Sequence, residues 1–281
     1  MTEPQEAIVL CGGGVYGALL LGAIEQKHFN NIRMIAGTSI GAVIGTLLCL
    51  DYQVNDILDT LVRHLPFVRD VDIHLLFTRY GLYDTQRFLS LVRQMISSKT
   101  NVRITFAQLY EQFGKDLIVT GTNVSQGRPC YFNRMESPDM CVIDAIEIST
   151  CIPFVFPCTL FDSDMYIDGA FTDNLPVVYT EQYIREHYTE EPFHVTVLNI
   201  RYDFTDFKID SLVNFVIRMI ILFVNHHTPL LESTPTRNVY TLIARDLVHL
   251  TVSEPSELLR LFESGKEQMT TQLKESNAQN P

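Results

Sequence analysis

Gly37-Thr38-Ser39-Ile40-Gly41 joins the apolar segment Ile32 to Ala36 to a second apolar segment, Gly41 to Leu50. The first segment has the length of a buried strand, and the second has the length and spacing of a helix. A serine flanked by glycines two positions away, at a strand-to-helix turn, is the Gly-x-Ser-x-Gly elbow that holds a nucleophilic hydroxyl clear of a sheet. The stretch therefore predicts an α/β fold with Ser39 as candidate nucleophile. A serine with a structural role only is the alternative.

A second strand-loop-helix unit precedes this elbow. Ala7 to Leu10 predicts a buried strand, and Gly17 to Lys27 predicts a helix. Between them lies Cys11-Gly12-Gly13-Gly14-Val15-Tyr16-Gly17, which we call the glycine loop. Amides of consecutive glycines at a helix start can stabilise the negative charge that develops on a substrate carbonyl. The candidate oxyanion donors are Gly12, Gly13 and Gly14.

The glycine loop allows two other interpretations. Gly12, Gly14 and Gly17 satisfy the dinucleotide fingerprint Gly-x-Gly-x-x-Gly. That site also needs an acidic residue after the second strand, and none occurs between Glu25 and Asp51, which disfavours a nucleotide-dependent oxidoreductase. A tight structural turn is the remaining alternative.

A serine nucleophile needs a base, and Asp168 is the candidate. Met165 to Ile167 predicts a short strand that ends at Asp168-Gly169-Ala170, where a carboxylate can face a neighbouring strand end. A carboxylate acts as a general base when it lies within hydrogen-bond reach of the proton that it accepts. A simple turn residue is the alternative at this position. Structural roles are favoured for the histidines that follow the serine, which are His187, His194, His226, His227 and His249.

Composition excludes several function classes. The chain has 281 residues and a net charge of -12, which argues against a nucleic-acid partner. Its six cysteines form no Cys-x-x-Cys pair, so we expect no metal site. Cysteines scattered in this way are typical of reduced thiols, so we expect no disulfides and a cytoplasmic protein. Glu3 and Glu6 precede the first apolar stretch, where a secretory signal would carry positive charge.

Apolar segments elsewhere complete the expected α/β pattern. Glycines interrupt Ala7 to Ile24 and Met34 to Leu50, so we expect no transmembrane segment. Leu212 to Val224 is apolar nearly all round, which favours a core helix over one that inserts into a lipid surface. Further helices are expected at Val54 to His64, Asp84 to Ser97, Asp144 to Ser149 and Glu257 to Leu273, and further strands at Leu117 to Thr120 and Val195 to Ile200.

The glycine loop, the elbow and Asp168-Gly169-Ala170, in this order, resemble the patatin-like phospholipase family. Ser149-Thr150-Cys151-Ile152-Pro153-Phe154-Val155-Phe156-Pro157 and Asn174-Leu175-Pro176 are similar to two further motifs of that family. The resemblance covers about residues 5 to 200. Two positions differ from the usual pattern, since Cys11 precedes the glycines and Tyr16 stands where the family has Arg or Lys.

The resemblance implies a three-layer α/β/α fold with a mostly parallel central sheet, a patatin-like domain at 5–200 and a helical extension at 201–281 packed on or continuing it. It implies a lipid acyl hydrolase with a Ser39–Asp168 dyad, an oxyanion hole and no metal or cofactor. The expected partner is lipid substrate at a transiently contacted membrane or lipid-droplet surface, and the expected location is cytoplasmic or peripheral on membranes. A catalytically silent lipid-binding or scaffold protein is the alternative. Supporting motif residues are Gly17, Gly37, Gly41, Gly169 and Ala170.

Overall fold

The computed structural model describes residues 4–66, 70–189, 192–203, 209, 211–245 and 254–279. Its strands are β1 Gln5–Leu10, β2 Ile32–Thr38, β3 Asp116–Asn123, β4 Arg128–Phe132, β5 Thr159–Phe161, β6 Asp164–Asp168, β7 Phe193–Tyr202 and β8 Arg237–Ala244. Its helices are α1 Gly17–Lys27, α2 Ile40–Cys49, α3 Val54–Arg63, α4 Ile73–Arg79, α5 Gln86–Lys99, α6 Phe106–Phe113, α7 Val142–Ser149, α8 Val177–His187, α9 Leu212–His227 and α10 Pro255–Gln279. Short 3-10 turns occupy Gly14–Tyr16 and Gly169–Phe171.

The strands form one mixed sheet with helices on both sides, which confirms the predicted three-layer α/β/α architecture. The strand order is β5-β6-β3-β2-β1-β7-β8, and β4 pairs with β3. Strands β3, β2, β1, β7 and β8 are mutually parallel. Strands β1 and β2 each contain a run of fully buried apolar residues, Ala7 to Leu10 and Met34 to Ala36, as expected of parallel strands that are covered on both faces.

Two strands meet end to end on one edge of β3. Thr120 pairs with β2 at Thr38, and the next residue, Gly121, pairs with β6 at Asp168. Strand β4 pairs with both Thr120 and Gly121, so it occupies the opposite edge. Because β2 runs parallel to β3 and β6 runs antiparallel to it, their carboxyl ends point at each other. This junction brings together the two candidate catalytic segments.

The chain after residue 200 continues the sheet. Strand β8 pairs in parallel with β7 from Val195↔Arg237 to Tyr202↔Ala244. The helical extension expected at 201–281 therefore also contains a strand that the sequence analysis did not predict. An edge strand such as β8 buries one face only, here Tyr240, Leu242 and Ala244, and its sequence lacks the continuous apolar run of the central strands. The expected C-terminal helix is present as α10, which packs against α1.

Helix α9 is not the core helix that its composition predicts. It buries only Asn214, Ile217 and Val224. Its other side exposes large apolar side chains, and these residues, the outer face of α9, are Leu212 (75% exposed), Phe215 (48%), Met219 (51%), Leu222 (41%) and Phe223 (39%). Because apolar residues surround the helix, its sequence could not indicate that one side remains uncovered.

Candidate active site

Ser39 lies in a strained turn between β2 and α2. Its backbone has φ 55° and ψ −124°, a combination that costs a non-glycine residue about 1–3 kcal/mol. The surrounding structure holds it there, because the Ser39 amide donates to Ser149 Oγ at 2.8 Å and the Ser39 carbonyl accepts from the Ala42 amide at 2.9 Å. A Cβ atom on Gly37 would lie 2.4 Å from the Gly41 carbonyl oxygen, and one on Gly41 would lie 2.6 Å from that of Cys11. The elbow therefore requires both glycines.

Asp168 ends β6 with its carboxyl group buried. Its Oδ1 accepts a hydrogen bond from the Ala170 amide at 2.8 Å. Its Oδ2 is buried and has no hydrogen-bond partner of standard geometry within the described part of the chain. Gly169 packs against the Thr120 carbonyl, to which a Cβ atom would approach within 2.5 Å. The Ala170 amide thus fixes Oδ1, whereas Oδ2 can still accept a hydrogen bond.

The end-to-end junction places Ser39 beside this carboxyl group. Burial raises the pKa of Asp168 from its ordinary value of 3.8 to about 7, while the Ser39 side chain and the Ala170 amide act in the opposite direction. Both side chains line the same cavity. A carboxylate with a pKa near neutrality, next to a serine hydroxyl, has the proton affinity that a general base needs at neutral pH.

The glycine loop lies across the same cavity, although its three amides are not equivalent. The Gly12 amide donates to Asn174 Oδ1 at 3.0 Å. The amides of Gly13 and Gly14 donate no hydrogen bond to another described residue, and Gly14 has a positive φ of 55°. The sequence predicts all three amides as candidate oxyanion donors, and the structure shows that the Gly12 amide is already bonded to a side chain. Gly17 begins α1 and packs against Ile40 of α2.

Asn174 connects the glycine loop to the end of α9. Its Nδ2 donates to Thr228 Oγ1 at 3.4 Å, and the Thr228 hydroxyl donates to the Val224 carbonyl at 2.7 Å. Arg201 on β7 donates to the carbonyls of Asn225 and Thr228. Asn174 was recognised in the sequence as part of a motif, but only the structure reveals this bridging position.

Two apolar cavities converge on Ser39. The first, which we call the α9 cavity, has a volume of ≈ 80 Å³ and is bounded by Asp168, the glycine loop and Ile217, Ile220, Ile221 and Val224 of α9. The second, which we call the α5 cavity, has a volume of ≈ 90 Å³ and includes Ile40, Leu61, Phe88, Phe156 and Leu258. Asp168 is the one charged residue among the described residues that line them. The arrangement suits an apolar chain that extends on either side of the serine hydroxyl.

Histidine does not enter this site within the ranges that the structure describes. His194 lies at the start of β7, beside Glu6, at the opposite end of the sheet. His187 ends α8, and His226 and His227 end α9 without lining either cavity. His249 falls outside the described residues. Tyr202, by contrast, lines the α9 cavity and carried no signal in the sequence.

The described residues contain no cluster of three or more His, Cys, Asp or Glu side chains arranged to hold a metal ion. No helix in the described ranges combines the length and the hydropathy required to cross a bilayer.

Sequence comparisons point to one family. A family model described as patatin-like phospholipase matches residues 8–180. An uncharacterized protein of Acanthamoeba polyphaga mimivirus is 30% identical over 192 residues, which cover 63% of this chain and 62% of that protein. A protein of Invertebrate iridescent virus 6, described as a probable lipid hydrolase, is 28% identical over 180 residues, covering 61% of this chain and 62% of the relative. The chain thus spans about three fifths of the length of these curated relatives.

A solved structure has a similar fold. The crystal structure of VipD from Legionella pneumophila matches with a TM-score of 0.55 at 16% sequence identity, covering 98% of this chain and 67% of VipD. At this identity the likeness concerns the fold alone.

Proposed function

The chain belongs to the patatin-like phospholipase family of lipid hydrolases, and on that premise we propose that Ser39 and Asp168 form a catalytic dyad that hydrolyses fatty acyl esters. The observation that carries the proposal is the junction on β3, which brings a strained serine and a buried carboxyl group to one apolar cavity. No histidine is needed, because the pKa of Asp168 already lies near 7. The proposal extends to the activity of the whole protein, because the chain spans only about three fifths of the length of its curated relatives.

In the first half of the reaction, Asp168 accepts the proton of the Ser39 hydroxyl. Its Oδ2, which has no other partner among the described residues, is the accepting atom. The serine oxygen attacks the ester carbonyl, and the amides of Gly13 and Gly14 donate to the resulting oxyanion. Oxyanion donors of this kind each contribute on the order of 10²–10³ in kcat. The alcohol then leaves with the proton that Asp168 returns, and the acyl group remains on Ser39.

In the second half, water replaces the alcohol. Asp168, again a carboxylate, accepts a proton from the water as the water attacks the acyl-enzyme carbonyl. The same two amides hold the second oxyanion. Collapse of this intermediate returns the proton to Ser39 and releases the fatty acid.

The cavities favour recognition of acyl chains over recognition of head groups. A phosphate within an apolar cavity would need a cationic partner. Neither cavity has a described Lys or Arg in its lining. We therefore place the acyl chain inside and any charged head group outside, in contact with water.

The outer face of α9 supports contact with a lipid surface. Its large apolar side chains lie on the same helix whose inner residues, Ile217 and Ile220 among them, line the α9 cavity. Phe154 and Phe77 are two further exposed aromatic residues, and their segments adjoin each other, since the Phe154 amide bonds to the Tyr80 carbonyl just after α4. Apolar residues grouped in this way are typical of interaction surfaces. A lipid surface that covers this face would deliver an acyl chain directly to the cavity.

The test is release of fatty acid from lipid vesicles by the protein and by its Ser39→Ala variant. Two vesicle types, one of phosphatidylcholine and one also containing triacylglycerol, cover charged and neutral substrates. Release by the wild type alone supports the proposal, and the preferred vesicle identifies the substrate class. Equal release by both proteins contradicts the role of Ser39. Binding without release by either protein favours a silent lipid-binding protein.

A further inference from the structure

Tyr202 extends past the core of the sheet to lie beside the glycine loop. Strand β7 pairs with β1 only as far as Leu10↔Leu198, and it continues for four residues to Tyr202. The chain that follows β1 is the glycine loop, which starts with the Cys11 amide bonded to the Leu198 carbonyl. Tyr202 therefore lines the α9 cavity together with Ser39 and Asp168.

The Tyr202 hydroxyl lies against Gly13 without a partner. A Cβ atom on Gly13 would be 3.2 Å from Tyr202 Oη, so the hydroxyl lies on the Cβ side of one of the two proposed oxyanion donors. It forms no hydrogen bond with any residue that the structure describes. The ring is held by Tyr16, whose ring is edge-on at 5.3 Å between centroids. A partly buried hydroxyl that lacks a hydrogen-bond partner can donate a hydrogen bond to a group bound in the cavity.

We propose that Tyr202 is a further catalytic residue, whose hydroxyl donates a hydrogen bond to the oxyanion beside Gly13 and Gly14. It fills the third donor position, which Gly12 cannot fill because its amide is bonded to Asn174. The hydroxyl keeps its proton throughout, so no bond is made or broken at Tyr202. The inference rests on the proposed ester hydrolysis and adds to it a residue from a different strand.

The environment of Tyr202 supports the role of a donor. Burial raises the pKa of its hydroxyl well above 10, and the nearby Cys11, Tyr16 and Asp168 raise it further. The hydroxyl therefore stays protonated over the whole range in which Asp168 titrates. The hydroxyl is not one of the fully buried side-chain atoms that lack a partner, and it lines the cavity, so a group bound in the cavity can reach it.

The experiment compares Tyr202→Phe with Tyr240→Phe, a buried tyrosine on β8 that lines neither cavity. Turnover of p-nitrophenyl butyrate should fall on the order of a hundredfold in kcat for Tyr202→Phe, with KM nearly unchanged, since the lost bond forms only in the transition state. Tyr240→Phe should retain wild-type kcat. The melting temperature of Tyr202→Phe should equal or exceed that of the wild type, which excludes misfolding as the cause.

A second measurement isolates the oxyanion. An alkyl trifluoromethyl ketone adds to a serine nucleophile and forms a tetrahedral oxyanion, so its affinity should fall for Tyr202→Phe by the same factor as kcat/KM. Wild-type kcat in Tyr202→Phe, or a lower kcat with unchanged ketone affinity, would overturn the assignment. Ser39→Ala distinguishes a failure of the proposed ester hydrolysis from a failure of the role proposed for Tyr202. If it hydrolyses the ester as fast as the wild type, the proposed function fails and the role of Tyr202 fails with it.

Discussion

The side-chain oxygen of Asn174 accepts a hydrogen bond from the Gly12 amide at 3.0 Å, across 162 positions of sequence. This bond ties the glycine loop to the segment that follows β6, and through Thr228 it reaches the end of α9. The donor geometry of the loop therefore depends on a residue that contributes no catalytic group of its own.

Asn174→Ala should impair catalysis by loosening the glycine loop. We expect kcat on p-nitrophenyl butyrate to fall roughly tenfold to a hundredfold, because small displacements of catalytic groups have effects of that size. The free energy of unfolding should fall by about 1–3 kcal/mol, as for other buried hydrogen-bonded groups. Asn55→Ala, which removes an exposed amide on α3, is the control and should change neither quantity. Full activity in Asn174→Ala would show that the loop keeps its shape without this bond.

The pH dependence of kcat/KM should follow the Asp168 carboxyl group. Its pKa in the free protein is about 7, and only the carboxylate accepts the serine proton. Hydrolysis should therefore rise about tenfold per pH unit below that pKa and become constant above it. The measurement is the pH profile of the wild type and of Asp144→Asn, a carboxylate on α7 that pairs with Arg103 and should leave the profile unchanged. A profile that is flat between about pH 5 and pH 8 would argue against Asp168 as the base.

Asp168→Asn should abolish turnover and yet stabilise the fold at high pH. The pKa of Asp168 is higher in the folded protein than its ordinary value of 3.8, so the folded state binds the proton more tightly and loses stability as the pH rises from about 4 to 7. Removing the charge should recover at most about 4 kcal/mol at pH 8, since one pKa unit corresponds to about 1.4 kcal/mol.

Urea unfolding of Asp168→Asn and the wild type at about pH 8 and pH 5 measures this gain. The difference between the two proteins should shrink at the lower pH, where the folded wild type already carries the proton. An equal difference at both pH values would mean that the substitution acts through packing and not through charge.

Charged substitutions on the outer face of α9 should separate lipid binding from chemistry. Phe215→Asp and Met219→Asp place carboxylates where the helix is exposed, so they should reduce vesicle binding about tenfold or more while leaving p-nitrophenyl butyrate hydrolysis unchanged. Ile220→Asp should reduce both vesicle binding and p-nitrophenyl butyrate hydrolysis, because Ile220 lines the α9 cavity.

The control for this series is Val178→Asp, an exposed apolar position on α8 that lines neither cavity. Flotation of the variants with vesicles measures binding. If Val178→Asp weakens binding as much as Phe215→Asp does, the effect reflects net charge and not the outer face of α9.

The parts of the site that sequence predicts are those encoded by neighbouring residues. The elbow at Ser39 carries its own glycines, and Asp168 is marked by the strand before it and the glycine after it. The first helix was predicted with its observed bounds, Gly17–Lys27. Such features depend on local sterics and strand or helix spacing, which a sequence displays directly.

The remaining parts depend on which strands become neighbours. Tyr202 reaches the site because β7 pairs with β1 and extends beyond the end of β1. The residues around Tyr202 do not indicate that β1 is the neighbouring strand. The bond that occupies the Gly12 amide is equally nonlocal. The sequence also does not indicate strand β8 or the exposed side of α9, because in both cases one face has no other element packed on it. Which faces stay uncovered depends on the tertiary structure.

The junction of β2 and β6 on one edge of β3 has a consequence for how the protein acquires activity during folding. The proposed dyad needs two separate pairings with β3, because β2 brings Ser39 to one half of that strand and β6 brings Asp168 to the other half. Each of these two pairings joins residues that are far apart in sequence, so each has to close a long loop. A partly folded chain that has formed only one of the two pairings would therefore lack the complete proposed dyad, and the onset of hydrolysis during refolding would report that both pairings have formed.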